Sequence, residues 1–532
     1  MRHKENKIPM LIVQVEPPQN AGSGDYFYRT HAPGIAMAKD DGVYVINITN
    51  QHRKKTEIMM KADVLILKNI CDADLLPLIR GRKEKRKLTV YEIADDLNAL
   101  QTWNPVYFFW KNKENLALGY RLANCCDALQ VTSHELKRLY GHLNKNCIVF
   151  PNQILDVPAE KSLKKDQGLV IGWGGSHGHL GDMAEIAEPL IKWIITKPNV
   201  TLHLMCSDPI WKLFDSLPQH KKKRTLPGTL DDYYNFLGEI DIGIAPLQRF
   251  AFNRSRSDVK FLEYAVSGVV PVVSHLEPYL ESVKNGETGF FFKNTAELIN
   301  ILNQLTDNAK LTQHIAGEAR QYVLRERLQI QHVHDRLDFY RHHLGQINGQ
   351  NREIVLDHLF GEFSKLEGAI VNERHLQLQS TRFENLLHDG LIAMQVHRDK
   401  EMARKLFDEA AVLEPENYLT FMFAASITTD PIACLCKAVI QEPHSIKTWI
   451  LLGEEFDVVG DTRQALECFK SAITVCPEYE VSYLRVASLL KRIGQESQSE
   501  LFSKKAESII QELTDLNNPE LDPHPYANYQ NQ

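Results

Sequence analysis

The run VVPVV at residues 269–273 narrows the choice of folds more than any other stretch of the chain. It is β-branched, apolar on both faces and too short for a helix, so it reads as a strand buried in a parallel sheet. Pro271 inside it removes a ladder donor. The flanks fit the same architecture. Phe261, Leu262, Tyr264, Ala265 and Val266 are apolar at helical spacing and stop at Gly268, a helix C-cap. Asn285-Gly286 and Thr288-Gly289 make tight turns before an aromatic strand, Phe290–Phe292.

The polar residues of this stretch carry its chemistry. Arg254, Arg256 and Lys260 precede or enter the helix that holds Glu263. Cations at a helix N-terminus oppose the helix dipole, so helix stability does not explain them. Together with free backbone N–H groups they make a diphosphate site. Glu263 lies three residues beyond Lys260, on the same helix face, where a carboxylate can accept hydrogen bonds from a ribose.

Similar strand and helix signals run through the first 345 residues. Met10 to Val15, Val43–Ile48, Ala62 to Lys68, Leu88 to Ile93, Asp127 to Thr132 and Cys147–Phe150 read as strands of a first unit. Gly22-Ser23-Gly24 follows the first of them, where backbone N–H groups can meet an anion or a sugar, or where glycine merely serves packing. Asp95 and Asp96 stand at the C-terminal end of the fourth, the ligand edge of an open α/β sheet, although helix capping also explains an aspartate there. Trp103, Tyr107, Phe108, Phe109 and Trp110 follow; aromatic faces suit a sugar or a lipid, and also a core. His134 begins a helix and reads as structural.

A polar segment, 156–167, reads as a linker. The second unit opens on the strand Leu169–Trp173, followed by Gly174, Gly175, Ser176 and Gly178. This fails the dinucleotide fingerprint, because His177 fills the third glycine position. His177 and His179 are candidates without assigned roles. Val200–Met205 and Asp241–Ala245 are further strands.

From residue 382 strand signals vanish and a repeat begins. Trp449, Leu452, Gly453, Phe456, Ala465, Phe469 and Pro477 follow the tetratricopeptide pattern. Pro443 and Pro477, Trp449 and Tyr483, and Gly460 and Gly494 are each one 34-residue period apart. Pro415 and Pro443 are closer, which predicts one shortened helix.

Composition sets limits on function. A 532-residue chain with 43% hydrophobic and 24% charged residues is ordinary globular protein of several domains. A net charge of -7 argues against bulk nucleic-acid binding. The nine cysteines form no CxxC, and their spacing suits a reducing cytosol. No signal peptide and no apolar run of the roughly 20 residues that span a bilayer is present. The basic run RGRKEKRK at 80–87 reads as a solvated helix face or as a dock for an anionic membrane surface.

The stretch 251–292 resembles the donor-binding segment of retaining family-4 (group 1) glycosyltransferases. Leu262-Glu263, Ala265 or Val266, Gly268 and Pro271-Val272-Val273 match the pattern L-E-x-x-A-x-G-x-P-V-V, and Gly286, Thr288 and Gly289 the G-x-T-G after it. FNRSRSDVK matches F-N-R-x-[KR]-S-x-x-K of one subgroup, whose Y-E-I-D-D-D-L is close to YEIADDL at 91–97. The resemblance implies a GT-B fold: two Rossmann-like α/β domains facing across a cleft, here followed by an all-α tetratricopeptide (TPR) solenoid. It divides the chain into an acceptor domain at 1–160, a nucleotide-sugar domain at 166–325 and a return helix at 326–345. A helical linker at 346–381, repeats at 382–515 and a flexible tail at 516–532 complete it.

By the same resemblance Gly174, Gly175, Arg254, Lys260 and Glu263 bind the donor. Asp95 and Asp96 are the catalytic candidates on the acceptor side, with Gly22, Gly24 and Trp103 in the acceptor loop. The implied reaction moves a hexose, with retention, from a nucleotide diphosphate sugar to a glycan, lipid or protein. Neither metal nor cofactor is expected. The repeats imply a protein or peptide partner. The implied place is the cytoplasm, with peripheral membrane contact if the acceptor is a lipid. Ser255 replaces the family's usual first glutamate, which leaves a second expectation: an inactive GT-B and TPR scaffold that binds partner proteins.

Overall fold

Six apolar runs in the first 150 residues close into one parallel sheet, because five of them are buried on both faces and can only be covered by helices, while the sixth lies half-buried at the edge. A computed structural model describes residues 8–18, 23–102, 104, 106–159, 168–345, 351–395 and 397–514. The strands are β1 (Met10–Glu16), β2 (Val43–Thr49), β3 (Val64–Lys68), β4 (Leu88–Ile93), β5 (Ala128–Val131) and β6 (Cys147–Val149). They lie in the order β2-β1-β3-β4-β5-β6. The second sheet holds β7 (Leu169–Gly174), β8 (Val200–Met205), β9 (Lys222–Thr225), β10 (Ile242–Ala245), β11 (Val270–Ser274) and β12 (Phe290–Phe292). Its order is β12-β11-β10-β7-β8-β9, again parallel throughout. Both are doubly wound, Rossmann-like sheets. Their strand order reverses between β1 and β3 in one and between β7 and β10 in the other.

Local chemistry explains the VVPVV segment. Gly268 adopts φ +69 after the helix Val259–Val266, the left-handed conformation that ends a helix at least cost in glycine. Pro271 precedes the point where β12 begins to pair, at Val272, so no ladder bond is lost on that side.

Residues 346–381, expected to be a helical linker, are only partly so. A helix covers Arg352–Phe363. A hairpin then follows, β13 (Ala369–Asn372) and β14 (His375–Leu378), and β14 adds to the first sheet beside β2. The short HLQL run is one of the buried strand segments that a helical period misses: His375, Leu376 and Leu378 are buried. His375 bonds Asn47 in the neighbouring strand at 3.0 Å. The helix Gln329–His343 returns to the first domain, where Val333, Leu337 and Tyr340 join its core.

The last third is a succession of antiparallel helix pairs, from Arg382–Gln395 with Lys400–Leu413 to Glu480–Arg492 with Glu496–Thr514. The shortened helix is Tyr418–Ala424, 7 residues long. These pairs are not a separate lobe. Ile446, Ile450, Phe469, Val486 and Leu490 share one hydrophobic core with Leu75, Ile79 and Leu116 of the first domain. Arg121 and Glu480 form a buried ion pair across the seam at 3.1 Å. Asp74 accepts the Ile446 N–H at 2.7 Å, capping the helix Ile446–Val458 from outside.

Three cations of the basic run at 80–87 are engaged within the protein, Arg80 in this docking and Arg82 and Lys87 inside the first domain. Arg80 pairs with Glu478 at 2.6 Å. Arg82 is fully buried and donates to the carbonyls of Met59, Ala62, Asp63 and Leu88. Lys87 donates to those of Met60 and Lys61. Among the described residues no helix is long and apolar enough to cross a membrane.

Candidate active site

The C-terminal edges of the two sheets face each other, and the residues that end the strands meet there. In the first domain the strand order reverses between β1 and β3, whose last residues are Glu16 and Lys68. Lys68 is buried and pairs with Glu16 at 2.7 Å and with Asp25 at 2.6 Å. Thr30 also donates to Glu16. Burial, with Asp25 nearby, lifts the Glu16 carboxyl to about 7 despite Lys68.

Gly24 opens a short helix capped by Ser23, which accepts the Tyr26 N–H at 3.1 Å. A π-helical turn, Phe27–His31, follows. Such turns redirect side chains, often at functional sites. Here Arg29 goes inward to Glu92, at 2.5 Å, and Tyr28 goes to the second domain.

Asp95 and Asp96 separate. Asp96 is buried, and accepts from the Tyr140 hydroxyl at 2.5 Å and from the Asn98 N–H at 3.2 Å. Asp95 is half-buried on the cleft side. Burial and Asp25 raise its carboxyl to about 6, opposed by the cations of Arg256 and Lys68. Asp95 therefore feels charges from both domains. Gly22 and Trp103 lie outside the described residues.

In the second domain, Glu263 is the centre. Its carboxylate accepts from Tyr28 of the first domain at 3.0 Å, from Tyr233 at 2.8 Å and from Lys260 at 3.1 Å. Lys260 also donates to the Tyr233 hydroxyl, at 2.8 Å. Tyr233 in turn packs over Gly174, where a Cβ would stand 2.8 Å from its ring. At Gly175 a Cβ would stand 2.6 Å from the Trp173 ring. Gly174, Lys260 and Glu263 are thus brought together through one tyrosine.

Arg254 is not part of that group. It is half-exposed on the flank of the cleft, bonded to Glu277 at 2.9 Å and facing Glu135 of the first domain at 3.8 Å. Arg256 takes the inward direction. The helix Ala251–Ser255 ends there and the chain turns extended, with φ -59 and ψ 167. Its guanidinium donates to His179 at 2.9 Å and stacks on Phe252 at 4.8 Å. His179 is bonded to Asp182 at 2.8 Å. Burial and the Arg256 charge lower the imidazole to about 4, so it is neutral at pH 7. Ser255 is fully buried, its hydroxyl turned to the Phe252 carbonyl at 2.9 Å and its own carbonyl accepting from Ser133 across the cleft.

Sequence reasoning passed over Glu16, Lys68, Asp25, Tyr28, Tyr233 and Asp182. For Glu16 and Lys68 a signal existed: each is a charged residue closing an otherwise apolar buried strand. Among the described residues no group of three or more His, Cys, Asp or Glu side chains is placed to hold a metal ion.

These buried groups predict an unusual pH profile. His52, His179 and His203, lowered to about 4, and His375, lowered to about 3, add stability above about pH 6.5 that is lost as pH falls toward 4. Glu16, Asp74 and Glu384, raised to about 7, and Asp95 work oppositely. Their stabilisation is complete below about pH 4 and is lost as pH rises through 7. The two sets offset each other between about pH 4.5 and 6.5, where Tm should be level, and the carboxyls outweigh the fading histidine contribution from about 6.5 to 7.5, where it should fall, before Lys87, lowered to about 8, opposes them. Thermal melts at constant ionic strength check this; a Tm rising steadily to pH 8 contradicts it.

No protein-family model and no curated protein matches the chain. Among solved structures it is similar to Anabaena HepE in complex with UDP-glucose. The identity is 15%, over 62% of this chain and 99% of that one, with a TM-score of 0.47. It is similar to sucrose-phosphate synthase from Thermosynechococcus elongatus at 13% identity, over 63% and 98% of the two chains, with a TM-score of 0.46. S. aureus TarM is 13% identical over 52% of this chain and 55% of that one, with a TM-score of 0.41.

Proposed function

We propose that the chain is a GT-B glycosyltransferase that moves a hexose from a nucleotide diphosphate sugar to a glycan, lipid or protein acceptor with retention. One observation carries this reading. Arg256, Lys260 and Glu263 converge on the ligand edge of the second sheet, opposite the carboxyls of Asp95 and Asp25. The diphosphate faces Arg256 and Lys260, whose charge stabilises it as it departs, so the reaction as proposed calls on no metal or cofactor. Ribose hydroxyls replace the phenols of Tyr28 and Tyr233 on Glu263. The loop from Gly174 to Gly178 lies along the donor, and Asp95 meets the acceptor. Arg254 serves the cleft flank, holding the domains near each other through Glu135.

The helical region is proposed as tetratricopeptide-like. Two of its pairs repeat one contact, Gly390 against Phe407 and Gly453 against Phe469, where a Cβ would come within 2.4 and 2.5 Å of the ring. Its docked face stabilises the first domain, and its remaining surface is offered to a protein or peptide. The protein acts in the cytoplasm. Ser255 favours a second reading, an inactive scaffold, because it stands where the family motif that the chain resembles has a glutamate.

The test is nucleotide diphosphate release from a panel of UDP-, GDP-, dTDP- and ADP-sugars, with Lys260→Ala beside the full chain. Release from one donor, lost in the variant, is expected. Silence across the panel, with no thermal stabilisation by any nucleotide, would overturn the enzyme and favour the scaffold.

A further inference from the structure

Two buried groups and a half-buried arginine behind the cleft form a chain with a fixed direction. Asp182, on the first turn of the helix Leu180–Thr196, is 3% exposed and His179 is 8% exposed. One carboxylate oxygen of Asp182 accepts the Gln248 N–H and the Asn253 amide, each at 2.8 Å. The other faces His179 Nδ1 at 2.8 Å, and His179 Nε2 faces an Arg256 Nη at 2.9 Å.

The donors and acceptors permit one arrangement. An ionised carboxylate only accepts and a guanidinium only donates. The imidazole between them must therefore carry its proton on Nδ1 and offer the Nε2 lone pair to Arg256. We propose that Asp182 and His179 are positioning residues: Asp182 fixes the tautomer of His179, and His179 thereby aims Arg256 into the cleft. This rests on the glycosyltransferase reading only for what Arg256 then meets, the donor diphosphate.

Two further observations agree. The Trp173 ring packs edge-on against His179 at 5.8 Å, so the imidazole cannot swing out to exchange partners. Among the described residues, Arg256 Nε is buried and has no hydrogen-bond partner. One donor of the guanidinium is thus tied to His179 while another is left for a ligand oxygen. Burial first, and then the guanidinium that a second ring proton would meet, lower the basicity of His179.

Asp182→Asn separates positioning from bulk. Its oxygen is claimed by Gln248 and Asn253, so its amide nitrogen turns to His179 Nδ1. The imidazole must then move its proton to Nε2, where it opposes an Arg256 N–H, and the guanidinium is displaced. His179→Gln keeps the relay beside Asp182, its amide nitrogen donating to the carboxylate and its oxygen accepting from Arg256; beside an asparagine at 182 the two amide nitrogens oppose each other. The single His179→Gln variant should therefore keep what Asp182→Asn loses, and the double variant should lose it again, a pattern that a merely structural need for the imidazole does not produce.

The experiment has two arms on the full chain. In the first, nitrogen-15 spectra of histidine-labelled protein, assigned by difference from His179→Gln, give the His179 tautomer. Nδ1 protonation in the wild type and Nε2 protonation in Asp182→Asn are expected; Nε2 protonation in the wild type overturns the proposal. In the second, calorimetry measures UDP, GDP, dTDP and ADP. The nucleotide that binds should bind about 10- to 100-fold more weakly to Asp182→Asn, with a cooperative melt retained, and its affinity should be kept in His179→Gln and lost again in the double variant. Equal affinity in Asp182→Asn, or loss in His179→Gln alone, overturns the proposal. If no nucleotide binds the wild type while the tautomer is as stated, the glycosyltransferase reading fails and the positioning of Arg256 stands.

Discussion

A chain ended at Leu378 is expected to aggregate rather than yield a soluble α/β protein. The helix pairs that follow cover Leu75, Ile79 and Leu116 with Ile446, Ile450, Phe469, Val486 and Leu490. Burying each such side chain contributes about 1.5–3 kcal/mol, so the shared core rivals the roughly 5–15 kcal/mol of a whole domain. Its removal also opens a contiguous apolar face on the first domain, which water does not tolerate at this size. The seam can be probed without truncation. Glu480→Ala takes the counter-charge from the buried Arg121, which keeps the Ile509 carbonyl at 3.3 Å, and should lower stability by about 3–5 kcal/mol in denaturant titrations. A truncated protein that elutes as a monomer and melts cooperatively near the parent Tm would show that the helix pairs are a detachable module.

Glu263→Ala is expected to weaken binding of the recognised nucleotide by about 10²- to 10³-fold. Two hydrogen bonds from ribose to a carboxylate are worth about 3–4 kcal/mol together, which is that factor. The fold should survive the change. Lys260 keeps its bond to the Tyr233 hydroxyl, and Tyr28 keeps Tyr234 as a neighbour at 3.4 Å. Calorimetry beside a thermal melt separates the two effects. Undiminished affinity in a well-folded variant would remove Glu263, and the site built around it, from the donor pocket.

Much of the site was legible because its signals are local. Lys260 and Glu263 share a helix face by their spacing alone, and Gly268 marks the end of that helix through its own backbone. Arg256 was in the same quoted stretch, yet Arg254 carried the expectation. The two differ only in where the helix Ala251–Ser255 stops, a boundary that periodicity places to within a turn and not to the residue. Asp96 looked equivalent to Asp95 for the same reason; only the position of Tyr140 sends it inward.

The order of apolar runs, their length and their period determined by themselves that this chain builds two parallel α/β units followed by paired helices. Burial of a face is a property each segment carries in its own side chains. Partners are another matter. Tyr28 reaches Glu263 across 235 residues, Arg256 meets His179 across 77, and Asn47 finds His375 across 328. Which cation faces the cleft, which edge of the first sheet receives a hairpin, and which repeat helix closes the first core were decided only in the tertiary structure. Hydrogen bonds and buried ion pairs depend on ångström-scale placement of groups far apart in the chain, and no local pattern encodes that distance.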